Sequence, residues 1–203
     1  MARTKEKQST RNSLVELVMI VGVALALALA IQAFLIKPFR IPSESMVPTL
    51  EINQRVLVDR VSFRFSEPDR GDIVVFKPPK GADDNVGGVQ HSAQSACPRP
   101  TRERSDTNFI KRVVAVGGDR VSVRDGRVFI NGRPQRESFA RPDAACGICN
   151  LPQPITVPKD HYFMMGDNRG ESADSREWGP VPKDWMIGNA FMTYWPPSKI
   201  GGL

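Results

Sequence analysis

The chain reads as a mainly β protein preceded by a single hydrophobic helix, and three observations carry that reading. Short runs of β-branched and aromatic residues recur between turn formers: Arg55-Val-Leu-Val-Asp59, Asp72-Ile-Val-Val-Phe76, Phe109 to Val116 and Val121 to Ile130. In the last run Asp125-Gly126 separates two arms of alternating apolar residues, the pattern of a tight hairpin. Leu17 to Ile36 is uncharged, and as a helix it would rise about 30 Å, the thickness of a bilayer's hydrocarbon core.

Residues 1–13 form a basic tail, in which Arg3, Lys5, Lys7 and Arg11 oppose Glu6. Residues 14–36 are predicted to be a transmembrane anchor. The apolar run exceeds the roughly 7–15 residues of a cleavable signal's hydrophobic region, so an uncleaved anchor is favoured over a secretory signal. The basic tail places the N-terminus in the cytoplasm, although Lys37 and Arg40 on the far side weaken the asymmetry. Residues 37–203 then form one extracytoplasmic domain, because the 203-residue chain is too short for two of ordinary size. A further strand is predicted at Tyr162-Phe-Met-Met165, leading into Gly166-Asp-Asn-Arg169, and helices beyond the anchor have little support. Two polar or proline-rich stretches, near 81–108 and 134–158, are read as insertions or long loops.

The net charge of +6 does not argue for nucleic acid. The first thirteen residues hold four basic groups against one acidic, half of the excess, and no RNP-like, zinc-finger or long basic run follows. Cys97, Cys146 and Cys149 are odd in number: Cys146 and Cys149 could close a small disulfide loop, one of them could pair with Cys97, or the thiols could be free. Zinc would want about four ligands, and His91 and His161 have no ligand-like spacing to these cysteines, so no metal is expected.

Just past the anchor lies Ile41-Pro-Ser-Glu-Ser-Met-Val-Pro-Thr-Leu50. In an extended backbone Ser43 and Ser45 point the same way, as a catalytic serine and a helper would; a Ser/Pro linker leaving a helix explains the same residues. A nucleophilic serine needs a base. His91 lies in a polar insertion and His161 precedes a strand with no evident orienting partner. A lysine would serve if its pKa fell from about 10.4 to about 7–8, which costs roughly 4 kcal/mol and is supplied by burial. Lys111 stands inside an otherwise apolar strand, sharing a face with Phe109 and Val113 while Ile110, Arg112 and Val114 take the other. A lysine on an edge strand reaching out to water is the competing reading.

Four segments in order, IPSESMVPTL, RGDIVVF, FIKRVVAVGGDRV and GDNRGESADSREWGPVP, resemble the type I signal peptidases, the Ser/Lys leader peptidases of bacterial membranes. The resemblance implies a β-rich catalytic domain, Ser45 as nucleophile, Lys111 as general base, and an oxyanion hole made by the Ser43 hydroxyl with the backbone N–H of Ser45. It implies that Ser172 hydrogen-bonds and orients the lysine, and that Asp167, Asp174, Arg176 and Arg112 support the site. Phe39, Ile41, Pro42, Leu50 and Ile110 match the lining of the pockets for small residues one and three positions before the cut. No cofactor is implied. The expected partners are preproteins bearing signal peptides and the lipid bilayer, not nucleic acid, with the enzyme a monomer in the bacterial cytoplasmic membrane. A non-catalytic β module binding exported chains, or a peptidase dedicated to one substrate, would share these residues. Glu44 departs from the pattern, where a small residue usually separates the two serines. A left-handed backbone there would cost a side chain about 1–2 kcal/mol, and a carboxylate near Lys111 would oppose its deprotonation.

Overall fold

The computed structural model describes residues 2–82, 103–142 and 151–203. His91, Cys97, Cys146 and Cys149 lie outside the described residues. The chain forms two units, one ending at Lys37 and one spanning Pro38–Leu203.

The first unit contains helix α1, Ala2–Phe34. From Leu17 to Ile31 it is apolar all round and exposed, Val18 by 70% and Leu25 by 60%. No helix among the described residues is long and apolar enough to cross a membrane. The continuous stretch of α1 with described side chains is residues 15–31, about 26 Å of helix.

The second unit is mainly β. The strands of the chain are β1 (Ile36–Arg40), β2 (Arg55–Asp59), β3 (Ile73–Phe76), β4 (Phe109–Val116), β5 (Arg120–Arg124), β6 (Arg127–Ile130), β7 (Arg133–Pro134), β8 (Leu151–Thr156), β9 (His161–Met165), β10 (Val181–Pro182), β11 (Met186–Trp195) and β12 (Gly201–Gly202) among the described residues. The larger sheet runs β1-β2-β11-β3-β4-β9-β10, with β12 on β11; the smaller runs β7-β6-β5-β8. A short helix α2, Ser175–Trp178, follows β9.

Local sequence explains the elements that place the site. The Ile-Val-Val-Phe run of β3 is buried on both faces: Val74 and Phe76 enter one core cluster, Ile73 and Val75 another. The β5–β6 turn has Asp125 at φ 49° and Gly126 at φ 69°, the left-handed pair of a type I′ hairpin. Lys111 pairs with Val74 of β3 and is 4% exposed, which removes the reading of a lysine reaching out to water. The β4–β9 ladder runs from Val116↔Tyr162 to Arg112↔Met165, so Phe109 to Lys111 have β3 on one side and no β9 partner on the other.

The proline-rich stretch 134–158 is not all loop. It contains β8, which pairs with β5 through Arg120↔Thr156, Val121↔Ile155 and Val123↔Leu151. Edge position reconciles strand with proline, because residues without an N–H are tolerated where one side of the ladder is open. The same stretch begins tied down: Arg141 N donates to the Asp167 carbonyl at 2.7 Å, and Arg169 N to that of Arg141 at 3.0 Å. The end of the other insertion is also anchored, with Ser105 N on Pro78 O and Lys80 N on Glu103 O. Longer-range pairing that no local pattern announces completes the larger sheet: β11 joins β2 to β3.

Candidate active site

Ser45 starts a turn that leaves β1's extended path. Val47 N donates to Glu44 O at 3.0 Å and Leu50 N to Met46 O at 2.9 Å, and Ser45, Met46 and Leu50 are buried. From inside the sheet Lys111 reaches this turn, with Nζ 2.6 Å from Ser45 Oγ. Lys111 is 4% exposed, and burial pushes its pKa down to about 8 against the opposing pull of Asp174. That is a change of about 3 kcal/mol in favour of the neutral amine. Ser43 Oγ lies 3.4 Å from Ser45 Oγ on the exposed side.

The loop from Gly166 to Arg176 clasps this pair. Asn168 N donates to the Ser45 carbonyl at 3.0 Å and Asn168 Nδ2 to that of Glu44 at 3.2 Å, which fixes the Ser45 turn from behind. Asp167, fully buried, receives Arg112 Nε at 2.9 Å and Nη2 at 2.7 Å, and Thr49 Oγ1 donates to it at 2.5 Å. Arg112 also bonds Gly71 O and stacks 4.0 Å from the centroid of Phe139. Asp174 caps α2 and takes Arg176 Nε at 2.7 Å and Nη2 at 2.8 Å, a buried pair that holds its carboxyl below the usual carboxylate range. Arg169 is 1% exposed and is balanced by a two-point contact with Glu137, both distances 2.9 Å.

Ser172 differs from expectation. Its hydroxyl donates to Asp174 Oδ2 at 2.8 Å and accepts from Gly166 N at 3.1 Å, and it makes no hydrogen bond to Lys111. The one hydroxyl proton goes to a buried carboxylate, and the Gly166 N–H occupies the oxygen from the other side. Gly166 is the residue that lets these parts meet. A methyl there would stand 2.6 Å from Ser172 Cβ, and closer still to the Ser172 hydroxyl and the Ser45 carbonyl.

A groove of about 220 Å³ takes in Ser43, Ser45 and Lys111. Phe39, Ile41, Pro42, Val75, Phe109 and Ile110 also line it. The volume is below the roughly 300–1,000 Å³ of sites for drug-sized ligands, and suits small side chains. Leu50 is corrected: it does not line the groove but is fully buried, packed in a core cluster with Ile41, Met46 and Val56, because the turn after Ser45 swings it inward. The charge on Glu44 is exposed, and its backbone is not among the positive-φ residues Asn53, Asp125, Asn131 and Asp160. The charges that bear on Lys111 are those of Asp174, Arg176, Glu177 and Asp167, not Glu44. His161 sits at the opposite end of β9 from Met165, its ring nitrogen 2.8 Å from Lys159 O. No metal-binding group of His, Cys, Asp or Glu exists among the described residues.

Thr49, Glu137, Phe139, Asn168 and Arg169 belong to the site's support but were not singled out from sequence. Thr49, Asn168 and Arg169 fall inside the four segments given above; Glu137 and Phe139 carry no local signal at all.

A serine hydroxyl against a buried lysine of lowered pKa, in a groove for small side chains, is the equipment of a serine endopeptidase. Residues 14–195 match the family model for signal peptidase, peptidase S26. A signal peptidase I of Leptolyngbya laminosa is 38% identical over 194 residues, covering 95% of this chain and 85% of that one. A probable signal peptidase I-2 of Synechocystis is 36% identical over 203 residues, covering 98% and 82%. A crystal structure of an Enterococcus faecalis signal peptidase I aligns with TM-score 0.41 and 26% identity, over 61% of this chain and 97% of that one. The chain belongs to the signal peptidase family, peptidase S26, and is a serine endopeptidase that cleaves signal peptides.

Proposed function

We propose that Ser45 is the nucleophile and Lys111 the general base of this peptidase. The observation that carries the reading is the 2.6 Å contact between Lys111 Nζ and Ser45 Oγ, made by a lysine whose burial favours its neutral form. Neutral Lys111 takes the Ser45 proton as Oγ attacks the scissile carbonyl. The developing oxyanion is held by the Ser45 N–H and the Ser43 hydroxyl, each donor worth roughly 2.7–4 kcal/mol. Lys111 then protonates the departing amine of the mature chain, and a water deprotonated by the same lysine releases the acyl group. Asp167 with Arg112 and Thr49, and Asp174 with Arg176 and Ser172, hold these groups in place.

The substrate is the signal-peptide region of an exported preprotein. It lies as an added strand along Phe109 to Lys111, the stretch of β4 without a β9 partner, with its small side chains on Phe39, Ile41, Pro42 and Ile110. Helix α1 is the membrane anchor of a single-pass protein in the bacterial cytoplasmic membrane. Supporting this are the absence of charge from Leu17 to Ile36 and the four basic residues before it, which put the N-terminus in the cytoplasm and Pro38–Leu203 outside. Ile52, Trp195 and Ile200 expose about half their surface each and suit contact with lipid, whereas Trp185 is core. The test is cleavage of a preprotein with an Ala-x-Ala site: Ser45→Ala and Lys111→Ala each abolish it in a folded protein, and substantial cleavage by either overturns the assignment.

A further inference from the structure

The hydrogen bonds behind Ser45 converge on one peptide group. The Glu44–Ser45 peptide is trans and planar, so its C=O and its N–H point in opposite directions. The Glu44 oxygen accepts twice, from Val47 N at 3.0 Å and from Asn168 Nδ2 at 3.2 Å, which uses both its lone pairs. At the other end of the same plane the Ser45 N–H makes no hydrogen bond among the described residues, although Ser45 is only 6% exposed. Ser45 lines the groove, so its N–H is a buried donor left open to what enters there.

Asn168 is itself firmly held. It is 7% exposed, and its own N–H donates to Ser45 O at 3.0 Å. Its two neighbours are tied to a single strap: Arg141 N donates to Asp167 O and Arg169 N to Arg141 O, while Glu137 takes the Arg169 guanidinium at two points. The side-chain amide meets Glu44 O with its nitrogen forward, because the flipped amide would set two oxygens against each other. Asn168 does not line the groove, so it acts on the reaction through the peptide rather than on substrate.

We propose that the Asn168 side chain is a positioning residue of the oxyanion hole: by holding the Glu44 oxygen it aims the Ser45 N–H at the charge that forms on the scissile carbonyl. This rests on the oxyanion role proposed above for that N–H. Two effects follow from the one hydrogen bond. A peptide plane pinned at its oxygen cannot rock, so its N–H is oriented before the reaction and no reorganisation is needed as charge develops. A hydrogen bond accepted by the oxygen also polarises the peptide, which makes the N–H at the opposite end a better donor.

The experiment measures kcat and KM separately on an Ala-x-Ala peptide across the pH range, using full-length wild type, Asn168→Ala, Asn168→Leu and Ser43→Ala. Leucine has the shape of asparagine and adds no charge, so Asn168→Leu carries the test even where Asn168→Ala fails to fold. The Asn168 variants lose about tenfold in kcat, the scale of one neutral hydrogen bond. They keep KM, because the oxyanion exists in the transition state and not in bound substrate. Ser43→Ala removes a donor outright and loses about 100-fold or more. The pH limb near 8 set by Lys111 stays in place in the Asn168 variants. A turn that had merely loosened would disturb the 2.6 Å contact of Lys111 with Ser45 and shift that limb. Wild-type kcat in the Asn168 variants beside a slowed Ser43→Ala overturns the inference alone, as does a loss confined to KM or accompanied by a shifted limb. Full activity of Ser43→Ala, or cleavage by Ser45→Ala, overturns the catalytic reading beneath it.

Discussion

Lys111→Met should abolish cleavage and stabilise the fold, and the stabilisation should depend on pH in a set way. The folded lysine has its pKa lowered to about 8 from 10.5 by burial. Below about pH 8 both folded and unfolded lysine are protonated, and folding bears the full cost of burying the charge, about 1.36 kcal/mol per unit or about 3 kcal/mol. Between about 8 and 10.5 the folded amine is already neutral while the unfolded one is charged, so the cost fades as pH rises; above 10.5 it is gone. Methionine fills similar space with no charge, so at pH 7 the variant should gain up to about 3 kcal/mol, less the lost hydrogen bond to Ser45 of about 1 kcal/mol. The assay is urea unfolding of the full chain, wild type beside Lys111→Met, from pH 7 to 10.5. A difference that does not shrink over that range, or a variant less stable at pH 7, would refute the argument that burial drives the lysine's pKa.

Cleavage by the wild type should rise about tenfold per pH unit below about 8 and level off above it, measured as kcat/KM, because only the neutral amine acts as base. Half-buried Glu177, pushed up to about 7 by burial and then by Asp174, raises the lysine's pKa when ionised, so Glu177→Gln should move that limb to lower pH. Gly166→Ala should cut kcat severely and destabilise by about 1–3 kcal/mol, because the methyl drives the Ser172 side chain and the Ser45 carbonyl apart; activity and thermal melting check this together. Leu50→Ala should cost about 2–5 kcal/mol in denaturant unfolding, as expected of core, while leaving the small-residue preference of the substrate unaltered.

Much of the site could be read in the sequence because its chemistry is short-range. Ser45, Lys111 and the Asp167 and Asp174 ion pairs each lie in a compact run of unusual composition, and the strands β2, β4 and β9 in runs whose residues suit a sheet. What stayed hidden depends on distant pairing. Leu50 belongs with the pocket residues by proximity in sequence, yet a turn of two hydrogen bonds rotates it into the core. Strand β8 is disguised by two prolines that only an edge tolerates. Glu137 matters through an arginine thirty-two residues later. Glu44 illustrates the converse, since the difficulty it posed dissolves once its backbone and its exposure are seen.

The clasp behind Ser45 also has a bearing on the order of synthesis. Ser45 meets Lys111, 66 positions downstream, and the asparagine that pins its turn bonds across 124. A ribosome therefore releases Ser45 long before the lysine beside it has been made. Until the last third of the polypeptide has been made and the β4–β9 ladder has closed, the hydroxyl is an ordinary alcohol.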